Sequence, residues 1–331
     1  MVQTIAISNF IKKGLLVKSG EALEKLKDID VVVFDKTGTL TLGKPQLIDV
    51  FLLSGNETKE INLEQKKYYL KIAASMAKKS SHVISKAILM ACEDNLLDLE
   101  ISEVKGFGLT SVFEGKSLKL GKKEFCEVIS SFSYSDKYLS CFMKFGEQEL
   151  VFLLQDKLKE DAKSIVTTLK QMKKRVLLIS GDIREVVSDV ANEVGIDEFY
   201  FEKIPTQKLD FLNNLRRESK KVLMIGDGLN DAPSLAAADV SISFVHATDI
   251  SQNIADVVIQ GEKLFPIINL INSSKKAIYL MKQNLLISLI YNLIALPFAV
   301  AGFVVPLVAA FAMSSSSILV LLNSLRMNKN S

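Results

Sequence analysis

VVVFDKTGTLT, residues Val31–Thr41, joins an unbroken apolar run to a carboxylate and then to a glycine-containing turn. Four consecutive apolar residues rich in valine read as a strand buried on both faces, as in a parallel sheet. Asp35 follows directly, at the strand end where an open α/β sheet places its ligand crevice. A carboxylate there can attack the γ-phosphate of ATP and form an acyl phosphate, dividing one difficult hydrolysis into two easier steps. Gly38 permits a tight turn with backbone amides aimed at phosphate oxygens. Lys36 stands beside the nucleophile, and Thr37 and Thr39 offer hydroxyl or carbonyl ligands.

Similar runs recur at Val151–Leu154, Val176–Ile179, Val222–Ile225 and Val240–Ser243. Between them, 160–173, 184–194 and 206–217 carry apolar residues at three- and four-residue steps, which predicts helices. Strands alternating with helices predict a doubly wound α/β domain. Its second acid-bearing turn is MIGDGLNDAPSLAAADV, Met224–Val240. Asp227 and Asp231, four apart across the turn, are expected to face one Mg²⁺, since hard cations prefer oxygen ligands. Such an ion would neutralise charge developing on a transferred phosphoryl group. Ser180-Gly181-Asp182 closes another strand and puts a hydroxyl and a carboxylate beside the same crevice. Lys208 lies on the helix after Pro205, a cation of the kind phosphoryl oxygens need.

From 48 to 149 the strand-helix rhythm breaks. Two helices, at 65–79 and 83–94, precede short strand-like pieces around Gly106-Phe107-Gly108, so this stretch is expected to be a second domain inserted into the first.

The chain has 331 residues, more than the roughly 100–200 of one domain. Its 41 Lys+Arg and 38 Asp+Glu are interspersed, which argues against nucleic acid as a partner. The three cysteines lack CxxC spacing and a nearby histidine cluster, so neither a zinc site nor a disulfide framework is expected. An apolar tract over 285–325 has room for two membrane crossings at roughly 20 residues each, with a turn near Gly302 to Pro306. Lys275, Lys276 and Lys282 before it, and Arg326 and Lys329 after it, predict that both ends face the cytoplasm. No secretory signal is expected at the N-terminus, where Lys12 and Lys13 follow a short apolar run.

Taken together, DKTGTLT, SGD, Lys208 and GDGLNDAP resemble, in the same order, the phosphorylation-domain motifs of P-type ATPases, members of the haloacid-dehalogenase-like superfamily. The resemblance implies that Asp35 is phosphorylated and that Mg²⁺ is held by its carboxylate, the Thr37 carbonyl and Asp227. It further implies that Asp231 supports the site while Lys208 and Ser180 hold phosphoryl oxygens. SSHVISKAI, Ser80–Ile88, resembles the SEHPLAKAI pattern of heavy-metal members, with Ser81 in place of Glu and Val83 in place of Pro. That likeness implies that His82 contacts adenine and that Gly106 and Gly108 form a turn against the nucleotide. In the apolar tract, Tyr291-Asn292 and Met313 with Ser316-Ser317 match the YN and MxxSS patterns of copper-transporting members, which implies a path for Cu(I), a soft ion suited to a thioether.

The expected architecture is therefore a haloacid-dehalogenase-like Rossmannoid phosphorylation domain, 1–47 with 150–272, an inserted α+β nucleotide-binding domain, 48–149, and a two-helix transmembrane hairpin, 273–331. The expected partners are ATP, Mg²⁺, a soft metal ion, a lipid membrane and the N-terminal part of a heavy-metal ATPase, whose CPC and TGE motifs are not in this sequence. The expected setting is a bacterial inner membrane with the catalytic domains in the cytoplasm. Two other readings stay open at this point. One is a membrane-tethered phosphatase, for which Thr37 is the wrong residue at the position two beyond the nucleophile. The other is a non-catalytic nucleotide-binding remnant, suggested by Ser81 and Val83.

Overall fold

In the computed structural model the described residues are 1–55, 57–130, 138–227, 231–245, 249–300 and 306–328. They divide into two compact units, Met1–Leu40 with Lys159–Ser331, and Thr41–Leu158.

The first unit is built on a seven-stranded sheet in the order Leu15–Val17, Val257–Ile259, Val240–Phe244, Val222–Ile225, Val31–Asp35, Arg175–Ile179, Glu198–Tyr200. All neighbours are parallel except the edge strand Leu15–Val17. From Val31–Asp35 the chain winds outward through Arg175–Ile179 and Glu198–Tyr200, then returns to Val222–Ile225 and winds the other way. The direction of winding reverses between Val31–Asp35 and Val222–Ile225, and a crevice opens at such a point beyond the carboxyl ends of the strands. Every residue of Val31–Asp35 is buried. Leu212 and Leu215 of the helix Pro205–Arg217 pack on Val31, Val33, Leu177 and Met224, which fixes that helix over the central strands.

Val151–Leu154 does not join this sheet. It lies inside the strand Gln148–Leu158 of the second unit and pairs antiparallel with Thr41–Ser54 and Leu139–Phe145. The reason it reads like a parallel strand is that both of its faces are covered. Val151 and Leu153 pack with Cys126 and Phe142, while Leu150, Phe152 and Leu154 pack with Ile72, Met76 and Ile88. The parallel partner of Val31–Asp35 is Arg175–Ile179 instead.

The second unit is a seven-stranded antiparallel sheet in the order Glu57–Glu60, Thr41–Ser54, Gln148–Leu158, Leu139–Phe145, Lys116–Gly121, Gly108–Phe113, Ser102–Val104. The helices Leu63–Ala77 and Val83–Ala91 bury Ile72, Met76, Ala87 and Ile88 against one face. Asn62 begins the first of them with a capping box, its side chain accepting from Gln65 N at 2.9 Å while Gln65 accepts from Asn62 N at 3.2 Å.

The first unit ends in two apolar helices, Pro266–Val300 and Pro306–Leu325. Between Ile267 and Leu280 the longer helix buries one face, including Leu270, Ile271, Ser274 and Ala277. Beyond this it exposes large apolar side chains, among them Leu285, Leu293 and Val300. It is long and apolar enough to cross a membrane. The two helices are joined by Asn284 Nδ2 donating to Ser324 Oγ at 2.9 Å and Asn323 Nδ2 donating to Asn284 Oδ1 at 2.8 Å. The expected turn falls largely on 301–305, outside the described residues.

Candidate active site

The strand Val31–Asp35 carries Asp35 to the crevice, where the residue is 6% exposed. After it the backbone leaves the strand, with Thr37 extended at φ −74° and ψ 128° and Gly38 left-handed at φ 69°. A Cβ on Gly38 would overlap the carboxylate of Asp227. The turn therefore needs glycine for its dihedral and for space. Thr39 Oγ1 is buried with no hydrogen-bond partner among the described residues.

Lys208, on the helix Pro205–Arg217, is likewise buried. Its Nζ donates to Asp35 Oδ1 at 2.5 Å and to Asp231 Oδ1 at 2.8 Å. Burial works against its charge, and the two carboxylates outweigh burial and raise its pKa. Burial and the neighbouring Asp231 push Asp35 up to about 7 despite Lys208. Oxygens of Asp35, Asp227 and Asp231 lie within 4.8 Å of one another. Three carboxylates facing one cation leave an excess of negative charge, and an all-oxygen donor set of this kind fits a hard divalent ion.

Ser180 and Asp182 form the second wall. Ser180 Oγ donates to Asp182 Oδ2 at 2.8 Å and accepts from Asp182 N at 3.2 Å. Lys36 Nζ pairs with Asp182 Oδ2 at 2.9 Å. Burial opposes the Asp182 charge, but Lys36 and Ser180 outweigh it and hold the carboxyl below the ordinary range. Gly181, between them, is exposed at the crevice edge. The structure thus brings Asp35, Lys208, Asp227 and Asp231 together, and pairs Lys36 with Asp182. Gly228, Leu229 and Asn230 of the GDGLNDAP stretch lie outside the described residues.

In the second unit, His82, Gly106 and Gly108 line one cavity of about 170 Å³. His82 also begins the helix Val83–Ala91, its Nδ1 accepting from Ile84 N at 3.3 Å. Gly106 is left-handed at φ 80° and faces open space, whereas a Cβ on Gly108 would strike the backbone of the neighbouring strand at Leu120 O and the ring of Phe125. Phe107, between the two glycines, shares the cavity with Glu103 and Lys122, which escaped the sequence reading. Their only signal was proximity to the two glycines, and Lys122 comes from a different strand end.

In the apolar helices Tyr291 and Ser316 are half-buried, while Asn292, Met313 and Ser317 are exposed. Ser317 Oγ donates back to Met313 O at 3.1 Å. Among the described residues no hydrogen bond joins Tyr291 or Asn292 to Met313, Ser316 or Ser317.

Residues 29–239 match the family model of haloacid dehalogenase-like hydrolases. The chain belongs to that family. This haloacid dehalogenase-like chain is 36% identical, over 335 residues and its full length, to the nitrogen fixation protein FixI of Bradyrhizobium diazoefficiens, spanning 44% of that protein. It is 35% identical to a copper-transporting ATPase of Helicobacter felis, over 95% of this chain and 43% of that one. To a copper-exporting P-type ATPase of Bacillus subtilis it is 33% identical, over 96% and 40%. The resemblance to heavy-metal P-type ATPases read from the motifs is met by these relatives, and the chain spans less than half the length of each. Among solved structures, a zinc-transporting PIB-type ATPase in the E2.Pi state shares the fold with a TM-score of 0.76 at 24% identity, over 98% of this chain and 54% of that one. The catalytic domain of the CPx-ATPase CopB-B matches with a TM-score of 0.65 at 29% identity, over 80% and 98%.

Proposed function

We propose that this chain carries the phosphorylation and nucleotide-binding steps of ATP-driven transport of a soft metal ion, Cu(I) by preference, across a membrane. The observation that carries this reading is the buried Lys208 held between Asp35 and Asp231, with Asp227 beside them. Asp35 is the nucleophile. One of its oxygens attacks the γ-phosphorus of ATP, the bond from that phosphorus to the bridging oxygen breaks, and ADP leaves with the electron pair. Lys208 supplies a fixed positive charge against the phosphoryl oxygens, and a charge that needs no reorientation is worth more in a site shielded from water. Ser180, whose hydroxyl proton goes to Asp182 in this structure, would turn that proton to the phosphoryl group, and Lys36 restrains Asp182.

Mg²⁺, held by Asp35, the Thr37 carbonyl and Asp227 with support from Asp231, would supply charge neutralisation at the phosphoryl group. The three-carboxylate cluster supports this choice of ligands.

Residues 1–40 and 159–272 are assigned to the phosphorylation domain, 41–158 to nucleotide binding, with His82, Gly106 and Gly108 against the base, and 273–331 to a membrane hairpin. Tyr291, Asn292, Met313, Ser316 and Ser317 are assigned to the metal path. Polar groups in an apolar helix are expensive and so favour a functional use. The lysines before the hairpin support a cytoplasmic catalytic part, in a bacterial inner membrane. Copper in the printed names of two relatives supports the choice of ion.

The test is incubation of the full chain with γ-labelled ATP and Mg²⁺. The reading expects label on the protein that survives acid and is released by hydroxylamine, as an acyl phosphate is. Absence of such label contradicts it.

A further inference from the structure

The cavity lined by His82 holds one acidic side chain among the described residues, Glu103. It stands on the edge strand Ser102–Val104, where the side chain is otherwise exposed. Ser80 Oγ donates to Glu103 Oε1 at 3.3 Å, and the same oxygen accepts from His82 N at 3.3 Å. One buried hydroxyl thus ties the carboxylate to the residue that bears the imidazole. Because His82 Nδ1 is occupied by Ile84 N, a neutral ring carries its proton on Nε2, leaving that nitrogen as a donor. Ile84, Leu109 and Leu120 supply apolar lining.

At about 170 Å³ the cavity is smaller than the roughly 300–1,000 Å³ of sites that enclose a whole drug-sized ligand, so it suits one ring system of a nucleotide. The lining carries one carboxylate, Glu103, and one ammonium, Lys122, so charge alone does not choose an end of the nucleotide, but the small volume and the apolar lining suit the base. Adenine bears an exocyclic amine at C6, which donates, whereas guanine and hypoxanthine bear a carbonyl oxygen there, which accepts. A carboxylate facing the 6-substituent accepts from the amine and is repelled by the carbonyl oxygen, whereas one facing N1 would accept from the N1–H of a 6-oxopurine. We infer that Glu103 selects adenine over 6-oxopurines by accepting a hydrogen bond from the 6-amino group. The inference rests on the reading of this cavity as the nucleotide site.

The experiment measures dissociation constants of ATP, ITP and GTP for the full chain and for Glu103→Gln, Glu103→Ala and Glu100→Gln. ITP differs from ATP at the 6-position and in the proton its lactam ring carries on N1, and Glu100→Gln removes a nearby charge outside the cavity. Wild type is expected to prefer ATP over ITP by roughly tenfold or more, the worth of one hydrogen bond to a charged group. Glu103→Gln and Glu103→Ala are expected to bring the ratio close to one, with ATP weakened, while Glu100→Gln keeps it. A wild type that binds ATP and a ratio unmoved by either Glu103 variant overturns the inference and leaves the nucleotide site standing. A wild type that binds none of the three overturns both.

Discussion

Gly38 and Asp227 lie so close that no side chain fits between them: a Cβ built on Gly38 would occupy the position of the Asp227 carboxylate. The turn after the nucleophile and the acid from the neighbouring strand are thereby packed as one unit, at a backbone dihedral that costs an L-residue about 1–2 kcal/mol. Gly38→Ala is expected to displace Asp227 and to lose the labelled intermediate, with a stability loss of at least that size by urea titration. Full labelling by this variant would show that Asp227 need not stay where it is.

Lys208 pairs with two buried carboxylates, and removing one partner of a buried ion pair costs about 3–5 kcal/mol. Lys208→Met is expected to lower stability by that order, and Lys208→Met with Asp35→Asn to recover part of it, because one of the stranded charges is gone. Equal losses in the single and double variants would mean that the pair is not coupled.

The folded pKa of Asp35, about 7, lies above the roughly 3.9 of an unfolded aspartate. Between those values the folded chain binds the extra proton, so this group's contribution to stability falls as pH rises and is lowest above pH 7. In the presence of a chelator, Asp35→Asn is expected to melt higher relative to wild type at pH 8 than at pH 5. A difference that does not change with pH would show that Asp35 does not carry the raised pKa. Saturating Mg²⁺ is expected to shrink the gap at pH 8, since a cation offsets the same repulsion.

Asn62 and Gln65 close a capping box at the start of the helix that brings Ile72 and Met76 to the core of the second unit. Asn62→Ala is expected to cost about 1 kcal/mol by denaturant titration. The labelled intermediate should still form, because the residue is remote from His82 in sequence and caps a different helix.

The centre of the parallel sheet was legible because Val31–Asp35, Arg175–Ile179 and Val222–Ile225 announce themselves twice, as apolar runs and as carriers of Asp35, Asp182 and Asp227 at their ends. The three-residue strands Leu15–Val17, Glu198–Tyr200 and Val257–Ile259 are too short to show a pattern. Val151–Leu154 misled for a physical reason. A strand covered on both faces looks the same whether its neighbours run parallel or antiparallel, and here Cys126 and Phe142 cover one face while Ile72 and Ile88 cover the other. Among the site residues, Asp35, Asp227, Asp231 and Lys208 were readable from spacing and order. The partner of Lys36 was not, since the approach of Asp182 from a separate strand depends on the sheet order. Glu103 lacked any pattern of its own, because its place in the cavity depends on Ser80 in a distant turn.

The central claim is that Asp35 itself accepts the phosphoryl group. After reaction with ATP and Mg²⁺, reduction by borohydride converts an acyl phosphate on aspartate to homoserine, which peptide mass spectrometry locates. The account predicts homoserine at position 35 in the wild type and none in Lys208→Met or in chelator. Reduction at another residue, or an unmodified Asp35 in a chain that hydrolyses ATP, would contradict it.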